Sequence, residues 1–370
     1  MIKKIPHLEN IGILLIATFS IFLISCGGDG GSGQVQNSLS PPVNSNQGGF
    51  QSISGKVVNP ITSIQVAIDA AGGKNITAQY AVHTYKLEYM TRDSANALVK
   101  VSALIAVPEK TTPSPVISYQ HATTFKKSEA PSLNLTVDDK SVEIAFASLG
   151  YVVFSADYVG FGSSFGNKHP YLQKTPSADA VNDMLKAGKV WLDLNAIKMN
   201  DQLFMTGYSQ GGYVTMAAMQ DLQNNPHSGF QITSAVLGAG PYDLNAALDK
   251  KLFGINLPGD LADLAISFLE GLIPADAEVE FETTFLRRYF DDDKQDDVHQ
   301  WRPDFPIKLF HGEDDNTVPI ESAESTFDTM KNLGANIELI KCTENPSGHK
   351  DCVLPYINLV VEYFEQLRHD

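Results

Sequence analysis

Ser209 stands in Gly207-Tyr208-Ser209-Gln210-Gly211, with a glycine two residues to either side. A serine hydroxyl is a poor nucleophile at neutral pH. It attacks an acyl carbon only when an imidazole takes its proton and a carboxylate orients that imidazole. Both partners are available downstream. The segment HGEDDNTVP carries Asp314 and Asp315 in a loop after the apolar run IKLF, and CTENPSGHKDC carries His349 in a loop after NIELIK. The order serine, acid, histidine suits acyl transfer through a covalent intermediate on a parallel sheet. His311 is a second candidate base, but its place at the end of a strand, just before the acidic loop, fits it better to shaping that loop.

These residues need elements to hold them. QLFMT (Gln202 to Thr206) reads as a strand and YVTMAAMQDLQ as a helix, so the serine falls on a strand-to-helix elbow. Such a turn strains the nucleophile and holds its hydroxyl above the sheet, and Gly207, Gly211 and Gly212 let strand and helix approach closely. The Gln210 amide, at the helix N-terminus, then points toward an oxyanion beside Ser209. Gln79 to Tyr89 and Ala97 to Val107, joined by TRDSAN, read as an antiparallel pair. Short apolar runs at Pro115 to Tyr119, Tyr151 to Ser155, Ser234 to Leu237, Ile307 to Phe310 and Asn336 to Ile340 alternate with helical stretches such as Ala178 to Leu194 and Tyr213 to Asn224. That alternation predicts an α/β fold, a doubly wound, mostly parallel sheet covered on both faces. Residues 244–302 interrupt it with LADLAISFLEGL and FETTFLRRYFDDDKQDDVHQW, either a helical cap insertion over the sheet or a peripheral embellishment.

The 370 residues, 43% of them apolar, suffice for one large domain or two small ones. Lys3 and Lys4 lead into an apolar run, Ile11 to Ile24, shorter than a spanning helix needs, which is the pattern of a secretion signal over residues 1–25. Leu23-Ile24-Ser25-Cys26 resembles the lipobox of bacterial lipoproteins, which implies lipidation at Cys26 and membrane association through a lipid anchor in a bacterial cell envelope. Gly27 rather than aspartate follows the cysteine, which resembles the sorting pattern of Gram-negative lipoproteins and implies the outer membrane. A low-complexity stretch, GGDGGSGQVQNSLSPPVNSNQGG, follows as a polar tether, then a short segment to about Asn75, so residues 26–75 precede a catalytic domain over 76–370. The 27 basic residues lose Lys3 and Lys4 with the signal and the 43 acidic ones lose Glu9, leaving 25 and 42, a balance of −17. That charge argues against a nucleic-acid partner. Cys342 and Cys352 then remain, in a compartment where a disulfide persists. No Cys/His cluster suggests a metal, and the chemistry asks for no cofactor.

SYQHATT (Ser118 to Thr124), ADYVGFGSS (Ala156 to Ser164), HPY (His169 to Tyr171), GYSQGGY (Gly207 to Tyr213), GPYDL (Gly240 to Leu244), HGEDDNTVP and SGH (Ser347 to His349) resemble, in order, the blocks of the α/β-hydrolase superfamily, and within it the exported lipases and esterases related to secretory lipases. The resemblance runs from about Tyr80 to the C-terminus. It implies the α/β-hydrolase fold and a serine carboxylesterase or lipase acting on an ester substrate, with catalytic Ser209, Asp315 and His349. In the family's HG-x-x-D-x-x-VP block the acid is the fifth residue, hence Asp315 rather than Asp314. The family's first oxyanion segment usually reads HG. Here Ala122 follows His121, which leaves the second oxyanion donor, beside Gln210, between the Ala122 and Thr123 amides. HPY reads as a proline-fixed loop packing under the site or as a substrate-lining element. A peptidase or amidase on the same three residues, or a surface-binding lipoprotein with a degenerate hydrolase domain, are the alternative readings.

Overall fold

The computed structural model describes residues 45–73, 76–138, 141–226, 229–251, 270, 271, 273–291 and 293–369. The signal segment 1–25, Cys26 and most of the tether lie outside the described residues, as do residues 252–269, 272 and 292 of the insertion.

Nine strands form one sheet: β1 (Phe50–Asn59), β2 (Val82–Arg92), β3 (Leu98–Pro108), β4 (Ser114–Gln120), β5 (Val152–Ala156), β6 (Met199–Tyr208), β7 (Gln231–Gly238), β8 (Ile307–His311) and β9 (Ile337–Lys341). Their order is β1-β2-β3-β5-β4-β6-β7-β8-β9. The first three and β5 pair antiparallel, and from β5 through β9 every pairing is parallel. The expected hairpin of β2 and β3 is present, in register from Val82 opposite Pro108 to Arg92 opposite Leu98. Asp93 shapes its turn, where the Ala95 and Ala97 amides donate to Asp93 Oδ1 and Asn96 takes a φ of 63°, a conformation asparagine tolerates better than most residues.

Eight α-helices are described: α1 (Ile61–Ala70), α2 (Val142–Ser148), α3 (Lys174–Leu194), α4 (Gln210–Asn224), α5 (Leu244–Lys251), α6 (Thr284–Phe290), α7 (Glu321–Asn332) and α8 (Val353–Leu367). Strand side chains alternate between faces. Leu203 and Met205 of β6 enter one buried cluster, with Val181 of α3, Met216 of α4 and Met330 of α7, while Phe204 enters another, with Ile64 of α1, Phe146 of α2 and Tyr356 of α8. A side chain such as Phe154 or Phe204, with no exposed surface, contributes roughly 1.5–3 kcal/mol of burial. The parallel strands therefore read as near-continuous apolar runs because both faces are covered.

The sheet begins at Phe50, upstream of the segment that shows the family blocks. Even the tail of the polar stretch takes part: the Gly48 amide donates to Met90 O at 2.9 Å, and Arg92 Nε donates to Gln47 Oε1 at 2.8 Å.

Candidate active site

β6 ends at Tyr208 and α4 begins at Gln210, so Ser209 is the single residue of the elbow. Its backbone lies at φ 58° and ψ −124°, a region that costs a non-glycine residue about 1–3 kcal/mol. The strain is held by the surroundings. The Ser209 amide donates to Gly238 O at 2.8 Å, and the Gly212 amide donates to Ser209 O at 2.9 Å. The flanking glycines are needed for contact: a Cβ on Gly207 would sit 2.3 Å from Gly211 O, and one on Gly211 would sit 2.0 Å from Gln120 O. Thus α4 packs directly against the end of β4, and the SYQHATT segment is drawn up beside the serine.

The two downstream loops meet at the same end of the sheet. The loop after β8 carries Asp315 and the loop between β9 and α8 carries His349, whose Nδ1 lies 2.6 Å from Asp315 Oδ2. Asp315 Oδ1 accepts the Thr317 and Val318 amides at 2.8 and 2.9 Å. Burial alone would raise this carboxyl, but the imidazoles of His311 and His349 outweigh it and hold Asp315 well below the usual carboxylate range. It is therefore ionised at neutral pH. His311 is fully buried, its Nε2 2.8 Å from Val318 O and 3.4 Å from Asp315 Oδ2. It shapes the acidic loop, as its sequence position suggests. Asp314 faces away and ties the two loops together: its carboxylate accepts the Ser347 amide and hydroxyl, both at 3.0 Å.

His349 is brought to the elbow by the residue before the serine. Tyr208 Oη donates to His349 O at 2.7 Å, and the two rings lie 5.2 Å apart. Cys342 and Cys352 are joined in a disulfide that closes the loop carrying His349. Gly312 is buried under that loop, where a Cβ would meet Ser347 O at 1.8 Å.

The first amides of a helix lack intrahelical partners, and Gln210 opens α4 beside Ser209. The His121 carbonyl lies against α4, where a Cβ on Gly211 would sit 2.8 Å from it, and Ala122 follows, its own carbonyl 2.7 Å from His121 Nδ1. Ala122 is absent from the residues with positive φ, so alanine stands in the glycine's place without backbone strain. Two contacts had no signal in the sequence. His169 Nε2 lies 2.7 Å from Gln210 Nε2, and Tyr171 Oη lies 3.1 Å from Thr123 Oγ1. The His169–Gln210 partners are 41 residues apart, so no local pattern could link them, although HPY was itself visible as a block.

Part of the insertion bears on this region. The His169 amide donates to Glu280 O and the Glu282 amide to His169 O, each at 2.7 Å, and the Phe281 ring packs 5.4 Å from both His169 and Tyr171. At the insertion's two ends, buried Asp243, Asp297 and His299 bring ligand-type atoms within 4.8 Å of one another, the one grouping among the described residues that could hold a metal ion. The Leu244 amide donates to Asp297 Oδ1 at 2.8 Å and Ser325 Oγ to Asp243 Oδ2 at 2.6 Å, so these carboxylates already fasten the insertion's base.

The sheet order, the elbow and the acid and histidine loops at the strands' C-terminal ends are those of the α/β-hydrolase fold. Residues 126–272 match the secretory lipase family model. The structure is similar to that of a putative hydrolase from Legionella pneumophila, at 19% identity and a TM-score of 0.70, covering 86% of this chain and 98% of that one. It is similar to the rice cell wall degrading esterase LipA from Xanthomonas oryzae, at 18% identity and a TM-score of 0.69, over 87% of this chain and 100% of that one. It is also similar to lipase A of Candida antarctica in its closed state, at 17% identity and a TM-score of 0.57, over 88% and 84%. No curated protein matches the chain in sequence. The secretory lipase match supports a carboxylic ester hydrolase, and the structural likenesses show the fold.

Proposed function

We propose that the protein is a serine carboxylesterase or lipase in which Ser209, His349 and Asp315 act as the triad. Ser209 Oγ attacks the ester carbonyl while His349 Nε2 takes its proton. His349 then returns that proton to the leaving alcohol, and water, deprotonated by the same imidazole, releases the acid. Asp315 fixes the tautomer: its carboxylate accepts from Nδ1, so Nε2 is left free to act as base, and the negative charge stabilises the imidazolium that forms. The Gln210 amide, with that of Ala122, donates to the tetrahedral anion; losing one such donor costs roughly a hundredfold or more in rate.

The observation that carries this reading is the ionised, doubly anchored Asp315 at 2.6 Å from His349 Nδ1, with His349 tied to the residue preceding the elbow serine. Turnover of p-nitrophenyl esters from acetate to long acyl chains, compared with matched anilides, tests it. Ester hydrolysis that vanishes in a folded Ser209→Ala variant is expected. Turnover that survives the substitution, or that favours the anilide, contradicts the reading.

A further inference from the structure

The HPY block is a family-like segment that the triad leaves without a task. His169 is buried at 2% exposure, and its two ring nitrogens have different partners. Nδ1 lies 2.8 Å from Val159 O. A carbonyl only accepts, so Nδ1 carries the hydrogen. In the neutral ring Nε2 is then an acceptor, and the Gln210 side-chain amide donates to it at 2.7 Å. Burial pushes His169 down to about 4, which keeps the ring neutral and this polarity fixed at neutral pH. The ring is clamped as well: Gly160, at φ +96°, leaves no room for a Cβ, which would lie 2.9 Å from His169 Cβ.

Two residues on, Tyr171 Oη meets Thr123 Oγ1 at 3.1 Å. One turn therefore touches both sides of the proposed oxyanion hole, the Gln210 arm at the helix and the Ala122–Thr123 arm after β4. The same turn pairs by backbone with residues 280 and 282 of the insertion.

We propose that the His169–Pro170–Tyr171 turn is a positioning brace for the oxyanion hole: His169 holds the Gln210 arm, Tyr171 holds the Ala122–Thr123 arm, and the insertion segment 280–282 bears on both through the turn. This rests on the serine esterase reading above. Neither side chain touches substrate. They keep two amides at a fixed separation, so their loss is felt when the carbonyl oxygen becomes an anion rather than when the ester binds.

The test compares His169→Leu, His169→Gln and Tyr171→Phe with the wild type in kcat and KM on one ester, and in the Ki of an alkyl trifluoromethyl ketone. That ketone adds Ser209 Oγ to its carbonyl carbon, moving the π electrons onto oxygen and the hydroxyl proton to His349, so its adduct carries the same anion. His169→Leu is expected to lower kcat about ten- to a hundredfold and to raise Ki by the same factor, with KM within about twofold. His169→Gln, which can still present an acceptor to Gln210, should recover most of that loss. Tyr171→Phe keeps the ring packing and should lower kcat several-fold. Its combination with Thr123→Val should lower kcat no further than either change alone, a result that decides the matter even if His169→Leu does not fold. Unchanged kcat in the variants, a loss carried by KM, a kcat loss with unchanged Ki, or additive losses for Tyr171→Phe and Thr123→Val would each overturn the brace. An inactive wild type would instead overturn the esterase reading.

Discussion

Asp314 and Asp315 are neighbours in sequence and opposite in task. Asp315 is buried against His349 and His311, while Asp314 ties to Ser347 in the opposing loop. Asp315→Asn should leave the loop geometry in place but disfavour the needed tautomer, lowering kcat by about ten-thousandfold. Asp314→Asn should cost less than tenfold, and kcat on a soluble ester ranks the two. The two aspartates could be told apart in the sequence only through the family block, because both lie in the same loop and the burial that separates them is tertiary. His169 gives a second residue-level expectation. Its folded value of about 4, set by burial, lies below the ordinary 6.5, so on acidification the unfolded chain takes up a proton first. The stability this group contributes is complete above pH 6.5, falls as the pH drops toward 4 and then levels, a change of about 3 kcal/mol. Urea unfolding of wild type and His169→Gln at pH 4 to 7 should show the difference between them shrinking by that amount as the pH falls. Glu143 and Asp183, each pushed up to about 7 by burial, act in the opposite sense and cancel in that difference. Parallel curves would contradict the assignment.

The elements that carry the site were readable because their patterns are local. The apolar runs at β4 through β8 are buried on both faces, and the glycines around Ser209 answer a steric need within one turn. β1 was not readable as a strand. Its middle, Ser54, Gly55 and Lys56, is exposed, so an edge strand looks like more of the polar stretch before it. α1 buries only Ile64 and Ile68, too narrow a stripe to stand out. The disulfide was legible from the compartment the N-terminus implies, and it acts on one element, the loop between β9 and α8. With ten residues' separation, the chain-entropy model gives roughly 2–3 kcal/mol. A Cys342→Ser, Cys352→Ser double variant should lose that stability in urea unfolding and several-fold in kcat, because His349 is also held by Tyr208 and, through Ser347, by Asp314. Unchanged kcat would mean those hydrogen bonds alone position the base.

At the scale of the molecule the sheet separates the point where the chain enters from the point of chemistry. β1 lies at one edge, and β6, which carries the elbow, is five inter-strand steps away, about 24 Å at the usual spacing. We propose that the chain is anchored through a lipidated Cys26 and that the anchor localises the enzyme without shaping its site. Cys26→Ser should abolish incorporation of labelled fatty acid in a bacterial host while kcat on a soluble ester stays within about twofold. A wild-type protein that takes up no label would contradict the anchor. The insertion is the part the sequence served least: its ends close through the Leu244–Asp297 and Val298–Tyr242 hydrogen bonds and its 280–282 segment on the HPY turn, pairings that no sequence spacing announces. The esterase reading and the oxyanion brace both depend on Ser209 being activated, and a fluorophosphonate probe reads that activation directly. Incubated with the folded wild type and mapped by mass spectrometry of its peptides, it should form one rapid adduct, on Ser209, which is abolished in His349→Ala. No adduct, or an adduct on another residue at the same rate, would contradict the account.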